Sequence, residues 1–389
     1  MSEPPSRLRR SLGLPGAIVV GLGAMLGTGV FAVWTPALDW AGGWLVLALL
    51  LAAAVAALNA VSVSRLARVH PESGGAYAYG RLRLGRAAGV AAGLAFIVGK
   101  SASSAAAALT IGVYLWPGQE RAVAWVAIAI ALAIDLRGIV RSVRVTAVLT
   151  ATVLVIVLVT VLWGGWSLPG GEAGDGWEPS SSPLAVLAAA GLLFVAFAGY
   201  ARITVIGEEV RDPKRTIPRA VAWSFVIVLA VYVLVAFVVL QAAQAGVVLG
   251  PAALEDIAQV TGSEVLRGVV VLGAVLGAGS VLISLLTGMG RTVFAMAAQG
   301  DAPRPLALVS GRHVPHRAAI TVAVAAAVLV VPGRLSWALA LSGASILIYY
   351  AVAHAASFTL PGPWLLRRAV PVLGVLLSAA IVLGLVSVR

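Results

Sequence analysis

Two short stretches of this chain combine glycine and a hydroxyl inside segments apolar enough to lie in a membrane. The first is Gly21-Leu-Gly-Ala-Met-Leu-Gly-Thr-Gly-Val-Phe31, the second Phe194-Val-Ala-Phe-Ala-Gly-Tyr200. Glycine inside a helix costs about 1 kcal/mol relative to alanine, so Gly27 and Gly29 around Thr28, and Gly199 in the second stretch, predict local unwinding. In lipid, unwound backbone is tolerated only where it is buried in protein or lines a cavity. A half-helix starting near Gly29 would turn free N–H groups and the positive end of its dipole toward a carboxylate. Half-helices ending near Met25 and Ala198 would leave carbonyls free for an ammonium group. A zwitterion fits both ends, which makes Met25, Gly27, Thr28, Gly29, Phe197, Ala198, Gly199 and Tyr200 the substrate-site candidates. The competing reading is that these small residues only permit close helix packing.

Titratable groups are scarce in the apolar stretches. Lys100 sits mid-segment in Val98-Gly-Lys-Ser-Ala-Ser-Ser104, with no Asp or Glu expected in the apolar part of any span. A charge there costs about 2.5 to 3.5 kcal/mol on insertion scales. Carbonyls or the hydroxyls of Ser101, Ser103 and Ser104 are its candidate partners, and desolvation would bring it toward a range where it exchanges protons. Lys100 is therefore the candidate for proton coupling, against the alternative of a tolerated lysine. Ser280, Ser284 and Thr287 share one face of a later span and suggest a sodium site; hydroxyls in membrane helices more often bond to their own backbone. Arg202 is expected to reach toward the cytoplasm, and His354 to be packed or hydrogen-bonded. Glu208, Glu209 and Arg211 are candidates for a cytoplasmic ion-pair gate, with a solvated charged loop as the alternative.

The elements that must carry these groups follow from composition. Of 389 residues, 61% are hydrophobic and 11% charged, which excludes an ordinary soluble domain and places the chain in a lipid bilayer. Apolar runs of about 20 residues predict eleven spans. Their approximate bounds are 15–37, 43–64, 88–116, 122–135, 146–163, 184–207, 220–240, 268–290, 318–331, 336–360 and 370–388, the fourth and ninth being short. The first is read as retained rather than as a cleaved signal. The net charge of +12 does not indicate a nucleic-acid partner, because its distribution follows the membrane. With the amino terminus inside, most of the basic residues, among them Arg9, Arg68, Arg83, Arg141 and Arg215, fall in cytoplasmic loops. The loop after the fifth span carries Glu172, Asp175 and Glu178 and no basic residue. A cysteine placed at Asp175 in this cysteine-free chain is expected to react with an impermeant thiol reagent in intact cells, and one at Ser73 to stay unlabelled. The reverse pattern would invert the topology.

The two breaks are five spans apart, and an odd number of crossings reverses orientation. The chain is therefore read as all-α and polytopic, with a five-plus-five inverted-repeat core whose helices 1 and 6 are broken. The expected organisation is a cytoplasmic tail (1–14), a first repeat (15–165), an external acidic loop (166–183), a second repeat (184–360) and an additional span (361–389). A short external helix is expected over 251–259, and Thr216 is expected to cap the seventh span with Pro218 in its first turn.

Four stretches carry a family likeness: Gly23 to Phe31; Arg65-Leu-Ala-Arg-Val-His-Pro-Glu-Ser-Gly-Gly-Ala-Tyr-Ala-Tyr79; Phe197 to Tyr200 with Glu208-Glu-Val-Arg-Asp-Pro-Lys-Arg-Thr-Ile-Pro-Arg219; and Gly290-Arg-Thr-Val-Phe-Ala-Met-Ala-Ala-Gln-Gly-Asp-Ala-Pro-Arg304. In these the sequence resembles amino acid permeases of the amino acid, polyamine and organocation transporter superfamily. The resemblance implies alternating access and an amino acid held by exposed backbone of helices 1 and 6. Ala201 and Arg202 stand where several relatives carry an acidic residue, which argues for neutral rather than cationic substrates. The expectation is a secondary transporter of amino acids in the bacterial inner membrane, with proton coupling favoured over sodium. Alternatives are an exchanger of amines, polyamines or other small solutes, and a non-transporting sensor or scaffold. An enzyme would need converging His, Asp, Glu or Cys side chains within the spans, and none is expected. No cofactor or metal site is predicted, since cysteine is absent and the four histidines do not cluster.

Overall fold

The structure, a computed structural model, describes residues 12–70, 75–138, 143–168, 182–200, 202–203, 210–309 and 315–388. Among them, nine helices are long and apolar enough to cross a membrane. The expected fourth and ninth spans are the shorter helices Glu120–Leu136 (17 residues) and His316–Val330 (15 residues), so the length criterion does not reproduce the count of eleven. Spans keep their sequence numbers below.

Span 1 is broken as its glycines require. One half runs Leu14–Met25, and Leu26 closes it by donating its N–H to the Leu22 carbonyl at 2.7 Å. Gly27, at φ −82° and ψ −113°, leaves the helical ladder, and a second half runs Thr28–Ala32. The restart thus falls at Thr28 rather than Gly29. Span 2 is a short helix, Trp34–Ala41, a tight turn and a long helix, Leu45–Val69; span 3 runs Arg86–Leu115 and span 5 Val143–Trp166. Span 6 is helical over Pro183–Phe197 and tightens into a 3-10 turn at Ala198–Tyr200. The first helix of each five-span set is therefore interrupted, as span 2 is at Gly42–Trp44. Spans 7, 8, 10 and 11 are Pro213–Gln244, Glu264–Ala298, Leu335–Phe358 and Val370–Ser387. A short helix between spans 7 and 8 is present at Ala253–Val260.

The start of span 7 corrects the sequence reading. The helix begins a turn early, at Pro213, after Asp212 in a left-handed conformation (φ 45°). Thr216 is already inside it and donates its hydroxyl to the Arg211 carbonyl at 2.7 Å, so it is not the cap. Pro213 fits the first position, where a missing N–H costs nothing, and Pro218 is interior.

Asp301 ties the loop after span 8 to the helix Gly75–Leu84 and to the start of span 3. Its buried carboxylate accepts from Arg81 and, at 2.8 Å each, from Arg86 Nε and the Tyr77 hydroxyl. Burial alone would raise the Asp301 pKa; the bonds from Tyr77, Arg86 and Arg81 outweigh it and hold the carboxyl below its ordinary value. Burial and the bond to Asp301 push the Tyr77 hydroxyl up to about 12. A depressed folded-state pKa stabilises above the unfolded value of about 3.9, and that contribution is lost as pH falls through the folded value. Asp301→Asn is accordingly expected to lower the melting temperature at pH 7 and to flatten its fall below about pH 4, as read by thermal melts in detergent.

Candidate functional site

The two breaks meet back to back. A Cβ at Gly199 would overlap the Ala24 carbonyl oxygen, and one at Gly29 would stand 2.5 Å from Ala196 Cα. A Cβ at Gly27 would collide with Val281 of span 8 and lie 3.1 Å from the Gly277 carbonyl. These glycines therefore do serve close packing, and they bring the unwound backbone of spans 1 and 6 into contact. Met25, Gly27, Thr28, Gly29, Ala198, Gly199 and Tyr200 all gather around this junction.

The freed carbonyls have found an internal donor that the sequence reading missed. The Tyr232 hydroxyl of span 7 lies 2.7 Å from the Met25 oxygen and 3.3 Å from that of Ala196. The hydroxyl thus occupies some of the role assigned to an ammonium group. Phe197 also departs from expectation: its ring packs on Phe225 and Tyr232, with centroids 5.4 and 5.1 Å away, so it faces span 7. At the far end of the second half of span 1, Tyr114 of span 3 donates to the Phe31 carbonyl at 3.0 Å and meets the Phe31 ring edge-on.

Two hydroxyls stand out against this satisfied background. Thr28 Oγ1 in the first break and the Tyr200 hydroxyl in the second are buried and make no hydrogen bond among the described residues. An unmet buried hydroxyl costs about 1–3 kcal/mol, so each is a position where an arriving polar atom is favoured. A small cavity of about 10 Å³, bordered by Gly23, Leu26, Gly27, Thr150 and Ser280, adjoins the first break. That is room for roughly one water-sized sphere.

Lys100 lies midway along span 3, about 21 Å of helix rise from Arg86. None of the neighbouring serines holds it. Ser101 turns to Met289 Sδ at 3.6 Å; Ser103 bonds Ser342 at 2.6 Å; Ser104 donates to the Lys100 carbonyl at 2.9 Å. Its ammonium has no hydrogen bond or ion pair among the described residues. At 100° per residue, Lys100 falls between the face carrying Gly99 and Ser103, which packs on span 10, and that carrying Ser101, which packs on span 8.

One carboxylate at the end of a span is buried, which the sequence reading did not anticipate. Asp135, in the last turn of the fourth helix, is 9% exposed, and Thr287 Oγ1 of span 8 lies 2.6 Å from its Oδ1. Thr287 is thereby engaged away from any cation site shared with span 1, whereas Ser280 does border the small cavity. Arg202 is exposed, with Nη1 4.0 Å from the position a Cβ would take at Gly288 of span 8. Of the gate candidates, Glu208 and Glu209 lie outside the described residues. Arg211 donates its backbone N–H to the Leu12 carbonyl at 2.8 Å, beside a parallel bridge between Leu12 and Val210. That pairing links the start of span 1 to the chain following span 6.

Comparison with known proteins agrees with this architecture. The family model for amino acid permeases matches residues 16–360. An uncharacterized transporter of Mycobacterium tuberculosis (strain ATCC 25618 / H37Rv) is 44% identical over 382 residues, covering 96% of this chain and 85% of the relative. A branched-chain amino acid permease of Bacillus subtilis (strain 168) is 27% identical, covering 79% of this chain and 71% of its own. A methylthioribose transporter of the same Bacillus strain is 25% identical over 76% of this chain and 69% of that protein.

Proposed function

This chain belongs to the amino acid permease family of transporters, and from that premise we propose that it carries a neutral amino acid across the bacterial plasma membrane by alternating access. The observation that supports the reading best is the pair of buried, unpartnered hydroxyls, Thr28 and Tyr200, one in each break. A zwitterion at the junction would meet Thr28 beside the restarting half-helix and Tyr200 beside the second break. Binding there must separate the backbones that now touch at Gly199 and Ala24, so substrate entry and the movement of span 6 against span 1 are one event. A ligand that favours the separated state shifts the population toward it, which is the thermodynamic core of alternating access.

Proton coupling through Lys100 belongs to the proposal. Its support is a mid-membrane cation without a described partner, facing between spans 8 and 10. Sodium is the lesser alternative: Ser280 borders a cavity of fitting size, but Thr287 has turned to Asp135. A second substrate reading, a small polar solute other than an amino acid, is favoured by the relative named for methylthioribose.

The test is uptake of radiolabelled neutral amino acids by proteoliposomes, paired with a thermal-shift screen, since a ligand stabilises the state it binds. Thr28→Val removes one hydroxyl at constant shape. It is expected to weaken binding about tenfold, the equivalent of one hydrogen bond of about 1.4 kcal/mol. Wild-type protein that neither accumulates nor is stabilised by any amino acid would refute the reading and favour another solute.

A further inference from the structure

Behind the second break lies a buried cluster of polar groups that neither folding nor the junction itself accounts for. Asn59 of span 2 is 1% exposed, and its Nδ2 is a second buried donor without a hydrogen bond. It borders the Tyr200 hydroxyl, as does Tyr350 of span 10, whose ring stacks on that of Tyr200 with centroids 5.9 Å apart. Neither neighbour completes a bond within 3.5 Å of the Tyr200 hydroxyl.

The Asn59 amide is held from behind. Its Oδ1 lies 2.6 Å from His354 Nε2, and His354 Nδ1 lies 2.8 Å from the Ser62 hydroxyl. A carbonyl oxygen only accepts, so Nε2 carries the proton and Ser62 donates to Nδ1. His354 is fully buried and pressed by span 11, where any Cβ at Gly374 would overlap the ring. The chain from Gly374 through His354 thus sets the amide with Nδ2 directed to the Tyr200 side. An amide oriented this firmly faces the Tyr200 hydroxyl without closing a full hydrogen bond, and an arriving acceptor oxygen would complete the set.

We infer that Asn59 Nδ2 and the Tyr200 hydroxyl form a selectivity subsite for a neutral substrate whose side chain carries a hydrogen-bond-accepting oxygen, with His354 as a positioning residue. The inference rests on the substrate site proposed above. The acceptor belongs to an uncharged side chain of the serine, threonine, asparagine or glutamine type. On span 2, Arg65, six residues beyond Asn59, is already committed to Ser357 at 3.1 Å and to the carbonyls of Pro361 and Leu366, so that helix offers no free counter-charge to an acidic side chain. An aliphatic side chain would leave Asn59 Nδ2 and the Tyr200 hydroxyl with only each other and Tyr350 as partners, whereas an accepting oxygen adds a bond, and that difference favours the oxygen-bearing substrate.

Competition uptake in proteoliposomes, glutamine and serine against leucine and valine, tests this. Wild-type protein is expected to prefer the oxygen-bearing substrates about tenfold or more. Asn59→Leu should erase that preference while leucine uptake persists, the latter serving as the control for folding. His354→Leu should act in the same direction, and His354→Gln, which keeps a donor toward Asn59, should restore most of the preference. If Asn59→Leu fails to insert, the wild-type preference and the His354 pair still decide. A wild-type preference for leucine and valine, or one that Asn59→Leu and His354→Leu leave unmoved, overturns the subsite while the junction stands. Loss of all amino acid uptake and binding in the wild type overturns the junction itself and the subsite with it.

Discussion

Gly29→Val is expected to abolish substrate binding and uptake while the protein still inserts as a multi-span helical chain. The substituted Cβ would stand 2.5 Å from Ala196 Cα and equally close to its Cβ, so the added side chain must push the second half of span 1 away from span 6. Overpacking of a tight contact costs typically about 1–3 kcal/mol, and the cost falls on the contact that opens and recloses in the proposed cycle. Insertion depends on hydropathy, which valine raises, so membrane targeting should survive. Gly199→Val should behave alike, since its Cβ would overlap the Ala24 carbonyl from the opposite side. Uptake measured on protein shown to be monodisperse and membrane-inserted decides the matter. Wild-type uptake by either variant would mean that the junction does not need close backbone contact in any state the transporter visits.

The reason for this result differs from the one that glycine content alone suggests. Sequence reasoning gives the glycines two competing roles, room for a substrate carboxylate or room for a neighbouring helix. The geometry joins them: Gly29 and Gly199 are needed because the breaks touch, and the breaks touch where Thr28 and Tyr200 are left without partners. Local chemistry was therefore legible. The unwinding at Gly27, the end of the first half-helix at Met25 and the interruption at Ala198–Tyr200 all follow from residues within a turn of themselves.

What escaped was long-range. Tyr232 reaches Met25 across 207 residues, Asp135 reaches Thr287 across 152, and His354 reaches Asn59 across 295. Hydropathy scores such residues only as defects in apolar runs, and a defect does not announce its partner. Asp135 illustrates the limit: at the end of the short fourth span it reads as a boundary residue, and its burial against Thr287 of span 8 comes only from tertiary packing. Helix starts were equally obscure. Thr216 carries a capping residue's side chain, but Pro213 can begin the helix three residues earlier, and packing rather than propensity chose between them.

Lys100→Met is expected to separate binding from accumulation. Methionine keeps the length and apolar stem of lysine and removes its proton, so packing in span 3 should change little. Within the proposed cycle, the ammonium is neutral when the site faces one side and charged when it faces the other. Desolvation at mid-membrane supplies the driving difference between the two states. The serines that would have held the charge are bonded to Met289, Ser342 and the Lys100 carbonyl, so the lysine has no described anchor that would keep it permanently ionised. With the titrating group gone, substrate exchange across proteoliposomes should continue at a comparable rate. Accumulation driven by an imposed pH gradient should fall at least tenfold, and the pH dependence of uptake should flatten. Undiminished accumulation with an unaltered pH profile would make Lys100 a tolerated lysine. The next variants to test would then be Asp135→Asn, which removes the buried carboxylate beside span 8, and Ser280→Ala at the small cavity by the first break.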